Sequence, residues 1–161
     1  MATIKTKSWR QKLEKETPGY PKTVEIPLRM ARTLGEGNMI ILTPKIMDTY
    51  IKTIPKGSLA TINSMRTHFA LQYRTATTCP ITTGIFTWIS AGAAEEDRAA
   101  GKKNITPYWR VLKEGGKLNP KYPGGVKQQA GNLQKEGFEI IKGITENNWK
   151  VKNFENYIFL D

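Results

Sequence analysis

Most of the usual apparatus of catalysis is missing from this chain. Among 161 residues there is one cysteine, Cys79, and one histidine, His68. A single cysteine excludes an internal disulfide, and a structural zinc site would lack its thiolates. Neither G-x-S-x-G nor H-E-x-x-H occurs, and no pair of acidic residues stands out as a catalytic site. No metal or other cofactor is called for. No stretch approaches the roughly eighteen apolar positions of a membrane span, so no membrane partner is expected. The first residues, Met1 to Lys7, lack the apolar segment of a signal peptide, and a reducing, cytoplasmic setting is the expectation.

Acidic residues are also scarce, 14 Asp and Glu against 25 Lys and Arg, for a net charge of +11. Residues 1–56 carry 11 basic and 5 acidic side chains, residues 57–104 carry 5 and 3, and residues 105–161 carry 9 and 6. The excess is spread, and the N-terminal third is richest. Such a surface favours polyanions. Charge alone does not separate DNA from RNA or acidic lipid, and a solvated lysine-rich surface is the plainer alternative. An apolar content of 39% is enough for a packed core.

Local signals divide the chain. Ser8 with Gln11 three residues on reads as a capping box for a short helix over residues 8–16, with Trp9 and Leu13 on one face. Val24 to Pro27 is extended, because a residue before proline is kept out of the helical region. Leu28 to Leu34 reads as one or two helical turns, stopped by Gly35-Glu-Gly37, which is too short a pattern for a nucleotide fingerprint. Residues 1–42 form a basic N-terminal arm. Trp9, Leu13, Ile26, Leu28, Leu34 and Ile40 need burial, which favours a strap over the core above a free nucleic-acid-binding arm.

Thr43-Pro44 opens a second helix, with threonine as N-cap and proline at the first helical position. Leu59-Ala60 reads as a short strand, and Thr61 caps a helix Ile62 to Tyr73 with Met65, Phe69 and Tyr73 as a core stripe. His68 in this helix has no second ligand at metal spacing and reads as a packing residue. After a polar turn at Arg74 to Thr78, Cys79-Pro80 starts a long helix, with Ile81, Ile85, Trp88 and Ile89 expected on its buried face. Phe138 to Ile141, Trp149 to Lys152 and Tyr157 to Leu160 read as strands of a small C-terminal antiparallel sheet.

Between the long helix and that sheet lies Asn104 to Gly137. It holds Pro107-Tyr108-Trp109-Arg110, then Tyr122-Pro-Gly124-Gly125, then a helix ending Glu136-Gly137. This order resembles the DNA-binding domain of the alkylguanine-DNA alkyltransferases, over about residues 44–137. The family has Pro-Cys-His-Arg, a Gly-Gly loop and a helix closing in Glu-Gly. Here Tyr108 stands at the acceptor-cysteine position and Trp109 at the histidine. The nearer resemblance is therefore to the alkyltransferase-like proteins, which bind an altered base without repairing it.

The resemblance implies a mainly α, winged-helix-like helix-turn-helix domain over residues 43–161, with the arm and the small sheet appended. The helix after Cys79 would be the recognition helix, with Thr82, Thr83 and Gly84 at its groove-facing start. The family's arginine near the start of that helix is replaced here by Cys79-Pro80, so its role is not carried over. Glu95, Glu96 and Asp97 would repel DNA and should lie away from it. Tyr108 would wall a base pocket, Arg110 would brace the loop, and Tyr122, Gly124 and Gly125 would form the pocket loop. Because Tyr108 and Trp109 are adjacent, one should face the pocket while the other packs inward; core packing of both is the alternative.

The function implied is non-enzymatic binding of double-stranded DNA at alkylated or extrudable bases, with hand-over to another repair protein. Two other readings stay open. One is a methylated-DNA-protein cysteine methyltransferase using Cys79, whose thiolate a helix N-terminus would favour. The other is a plain winged-helix module for DNA or protein.

Overall fold

The computed structural model describes residues 6–160, about half of them in helices or 3-10 turns, with three small sheets. It is a mainly α fold. The elements are α1 (Trp9–Glu14), β1 (Lys22–Glu25), α2 (Leu28–Leu34), β2 (Asn38–Ile41), α3 (Pro44–Thr53), β3 (Ala60–Thr61), α4 (Ile62–Tyr73), β4 (Thr77–Thr78), α5 (Pro80–Ala99), β5 (Val111–Leu112), α6 (Gly125–Lys135), β6 (Ile140–Ile141) and β7 (Lys150–Val151).

Helix starts follow from side chains that satisfy otherwise unpaired N–H groups. The Ser8 hydroxyl accepts from the Gln11 N–H while Ser8 N–H donates to the Gln11 amide. Thr43 caps α3, with Pro44 at its first position. Thr61 and Ser64 cap α4 reciprocally. α4 ends at Arg74, whose φ of 56° places it in the left-handed region.

α5 is the axis of the molecule. α1, α3, α4 and the 3-10 turn Tyr108–Arg110 all pack on it. One core joins β2, α3 and α4 through Ile40, Met47, Ile51, Met65 and Phe69. A second lies under α6 and the C-terminal sheet, around Leu112, Leu118, Leu133 and Val151. Each fully enclosed aliphatic side chain of this kind contributes about 1.5–3 kcal/mol. The parallel pair β3–β5 (Ala60 opposite Val111) joins the start of α4 to the segment after Arg110.

The arm is packed against the domain. β1 pairs antiparallel with β2, and β2 pairs parallel with β4, so the turn before α5 is a sheet edge. α1 lies across α5, where the Trp9 ring sits over Gly92 so closely that a Cβ there would fall 2.3 Å from the indole. Leu13 is buried, whereas Leu28 stands 92% exposed and does not join the core.

The C-terminal reading needs one correction. β6 and β7 form an antiparallel pair, Ile140 opposite Val151. The expected third strand is absent there, because Phe154–Tyr157 is a 3-10 turn. Beyond it the chain pairs with Leu59 instead: Leu59 N–H donates to Tyr157 C=O at 2.8 Å, and Phe159 N–H donates to Leu59 C=O at 2.7 Å. Phe159 thus packs on the first core, Tyr157 meets Phe138 at a centroid distance of 5.2 Å, and Leu160 stays exposed.

Candidate nucleic-acid interface

α5 turns a face to solvent that its composition suggests should be inside. Ile81, Ile85 and Trp88 are 58%, 45% and 40% exposed. They were expected in the core. The buried face is made instead of Thr83, Thr87, Ser90, Ala91 and Ala94. Small side chains let neighbouring elements approach α5 closely, and the two buried threonine hydroxyls are satisfied within the helix, whereas the buried Ser90 hydroxyl has no protein partner. Thr83 Oγ1 donates to Cys79 C=O at 2.7 Å and Thr87 Oγ1 to Thr83 C=O at 2.8 Å. Ile81, Gly84, Ile85 and Trp88 recur at the helical repeat and form one stripe.

Beside that stripe is a groove of about 590 Å³, closed on its other side by Lys113, Asn119 and Lys121 from the segment before α6. No carboxylate lines it. Its floor is apolar and its rim carries two ammonium groups. The two walls are joined by one hydrogen bond, from the Trp88 indole N–H to Lys121 C=O at 3.1 Å. The fully buried Gln129 holds the same segment from below. Its amide accepts from Asn119 N–H at 2.8 Å and donates to Trp109 C=O and Val111 C=O at 3.1 and 3.3 Å.

Tyr108 does not line this groove. It is fully buried against Ala91, Ala94 and Tyr122, and its hydroxyl donates to Glu95 Oε1 at 2.7 Å. Burial, then the Glu95 carboxylate, push its phenol well above the ordinary value of 10.0. Trp109 also packs inward, half-buried, with its indole N–H donating to Glu136 Oε2 at 2.8 Å. Both aromatics of the Pro-Tyr-Trp-Arg run therefore face the interior. The expectation that Tyr108 lines an open pocket is corrected by this placement.

Arg110 braces the segment. Its Nε donates to Glu136 Oε1 at 2.8 Å and its Nη2 to Glu136 Oε2 at 2.9 Å, while Nη1 donates to Ile54 C=O at 2.7 Å. Tyr122 is buried, its hydroxyl donating to Val111 C=O at 3.0 Å, and burial raises its phenol too. Gly124 and Gly125, at φ 78° and 71°, make the turn into α6, a conformation that L side chains rarely adopt.

Of the expected starting residues of α5, Thr83 is fully buried and cannot touch a ligand. Thr82 is half-buried and Gly84 is exposed, with open space where a Cβ would stand. Cys79 is buried beside Ile26 and Met39 and caps α5 without a side-chain hydrogen bond. At 1.5 Å per residue it is about 24 Å along α5 from Glu95, the partner of Tyr108. Glu95, Glu96 and Asp97 are engaged rather than a bare acidic patch. Glu96 accepts from the N–H groups of Trp9 and Arg10, Asp97 pairs with Arg10, and Glu95 pairs with Arg98 at 3.0 Å.

His68 is stacked near Tyr50, ring centroids 4.6 Å apart. Among the described residues no group of three or more His, Cys, Asp or Glu is placed to hold a metal ion. Among the same residues no helix is long and apolar enough to cross a membrane.

No family model matches the chain, and no curated protein matches it in sequence. A solved structure does match: S. pombe Atl1 in complex with damaged DNA containing O6-carboxymethylguanine, with a TM-score of 0.50. The chain has an Atl1-like fold. The match covers 94% of the Atl1 chain and 73% of this one at 17% identity, so nearly the whole of Atl1 has a counterpart here. What the two share is the backbone arrangement; at that identity few side chains of Atl1 carry over.

Proposed function

We propose that this protein binds double-stranded DNA without catalysis and receives an altered or extruded base in the groove between α5 and Lys121. In this reading α4 and α5 act as a helix-turn-helix, α5 is the recognition helix, and the C-terminal sheet is the wing. One observation carries it: an apolar, lysine-rimmed groove of about 590 Å³ runs along the one exposed apolar stripe of α5. It supports the reading because an extruded base needs a stacking surface to offset a few kcal/mol of lost pairing. Ile85 and Trp88 offer that surface. The Atl1-like fold adds that this backbone is compatible with a duplex containing damage.

Alkyl transfer is disfavoured on the chain's own chemistry. The residue at the acceptor position is a buried phenol held to Glu95, and a phenol is a poor nucleophile beside an activated thiolate. Cys79 is enclosed at the opposite end of α5's core-facing side. With no group to complete a repair, the bound lesion would be passed to another repair protein.

The test uses matched duplexes with and without a single O6-carboxymethylguanine, followed by fluorescence anisotropy, together with the intact mass of the recovered protein. Tighter binding to the modified duplex and an unchanged mass are expected. Equal affinity for both would reduce the protein to a general duplex binder. A stoichiometric mass gain that disappears in Cys79→Ala would make it an alkyltransferase.

A further inference from the structure

The arm contributes a second recess that the groove reading does not use. Lys7, Lys12 and Lys15 line a cavity of about 440 Å³ together with Tyr20 and with Thr82 and Phe86 of α5. Its floor is apolar, and no carboxylate lines it. Lysine stems can lie along such a floor while their ammonium groups stay in water.

The three lysines are not on a loose tail. α1 is tied to α5 at several points: Trp9 sits on Gly92 and meets Trp88 at a centroid distance of 4.5 Å, Glu96 accepts from the first N–H groups of α1, and Arg10 pairs with Asp97. Lys12 is further held over the Trp9 ring, its ammonium 4.3 Å from the centroid. Lys12 is thus positioned before any ligand arrives, and Lys7 and Lys15 flank the two ends of the tied helix, which lowers the ordering cost of binding.

Placement relative to the groove gives the site its meaning. Thr82 and Phe86 form the stripe of α5 next to Ile81 and Ile85, so the two cavities flank the same N-terminal half of the helix. A duplex lying along the exposed stripe would bring one sugar-phosphate backbone past the arm side. We infer that Lys7, Lys12 and Lys15 form a phosphodiester-binding recess that grips this backbone beside α5. The inference rests on the duplex-binding reading above and assigns the arm a role in it: the arm is a strap and a phosphate clamp together.

The experiment is a salt titration of duplex binding. Each phosphate contact contributes about 0.9 to the slope of log affinity against log salt. The triple variant Lys7→Gln/Lys12→Gln/Lys15→Gln should lower the slope by about two to three and weaken modified and unmodified duplexes by the same factor. Lys7→Gln/Lys15→Gln leaves Lys12 on Trp9 and should lower it by about two, which guards against a folding defect; thermal melting of both variants is measured alongside. A triple substitution at exposed lysines outside both cavities and outside the sheet, Lys45→Gln/Lys56→Gln/Lys103→Gln, removes the same net charge. An equal drop there would mean that net charge acts and the recess does not. An unchanged slope in a folded arm variant overturns the recess while leaving duplex binding intact. No duplex binding by the unsubstituted chain removes both.

Discussion

Arg110 and Glu136 form a two-point ion pair with both side chains largely enclosed, 13% and 8% exposed. The same carboxylate accepts from Trp109, and the same guanidinium donates to the end of α3 at Ile54. One pair therefore joins α3, the Tyr108 turn and the end of α6. Opposed charges out of water are stable only while both are present and fully hydrogen-bonded.

Glu136→Ala should accordingly be among the most damaging single changes, with a loss of about 3–5 kcal/mol from the uncompensated arginine. Urea unfolding measures it. The double change Arg110→Met/Glu136→Leu should cost less than Glu136→Ala alone. If the single variant unfolds within 1 kcal/mol or so of the parent, the pair is not the brace described here.

Gly92 and Gly84 make a second, paired prediction. Both are helical positions in α5, where alanine is worth about 0.5–1 kcal/mol over glycine. Gly84 has open space at its Cβ position, so Gly84→Ala should stabilise by that amount. At Gly92 the new methyl would meet the Trp9 indole, and overpacking of about 1–3 kcal/mol should win. In a Trp9→Ala background the obstruction is gone, and Gly92→Ala should turn stabilising. Thermal melting of the four proteins decides it, and a Gly92→Ala effect that ignores Trp9 would remove the strap from the stability of α5.

The helix starts at Ser8, Thr43 and Thr61 were legible because capping is a local event between residues three apart. The brace at Arg110 was legible through a resemblance, but its partner Glu136, twenty-six residues on, was not. α5 misled for a physical reason. Large apolar side chains at helical spacing usually mark a core face, yet here close packing is achieved by Thr83, Thr87, Ser90, Ala91 and Ala94, which leaves Ile81, Ile85 and Trp88 outside. The groove was missed for the same reason, since Lys113, Asn119 and Lys121 reach it only through the tertiary fold. Tyr157 misled in a milder way: β-forming composition does not say which strand edge a segment will find.

The two buried phenols give an alkaline signature. Tyr108 and Tyr122 hold their protons in the folded state beyond the value of about 10 that they regain on unfolding. Their contribution to stability is complete below about pH 10 and is lost as pH rises from there towards the folded values. Absorbance at 295 nm should show a class of phenols silent at about pH 11 in the folded protein and ionised at once on adding denaturant. Tyr108→Phe should make that class smaller. Complete ionisation at that pH with native circular dichroism would contradict the burial.

Trp88 and Tyr108 separate a groove on the surface from a pocket at the acceptor position. Trp88 is 40% exposed on the groove stripe and ties it to Lys121, whereas Tyr108 is fully enclosed and does not line the groove. If a base stacks in the groove, Trp88→Ala removes a surface worth about 1–3 kcal/mol, a five- to 150-fold loss of affinity for the modified duplex. The unmodified duplex should lose much less, because phosphate contacts from lysines persist. Trp88→Phe keeps the stacking surface but not the bond to Lys121, so a smaller loss is expected and it isolates the tether. Tyr108→Phe deletes only the hydroxyl on Glu95. It should cost about 1–3 kcal/mol of stability by leaving that carboxylate with one donor fewer, and change affinity for neither duplex. Anisotropy titrations of the three variants, each with a melting curve, read both quantities. Should Tyr108→Phe lose selectivity for the modified duplex while Trp88→Ala keeps it, the base would enter behind α5 through an opening motion, and the surface groove would not be the site.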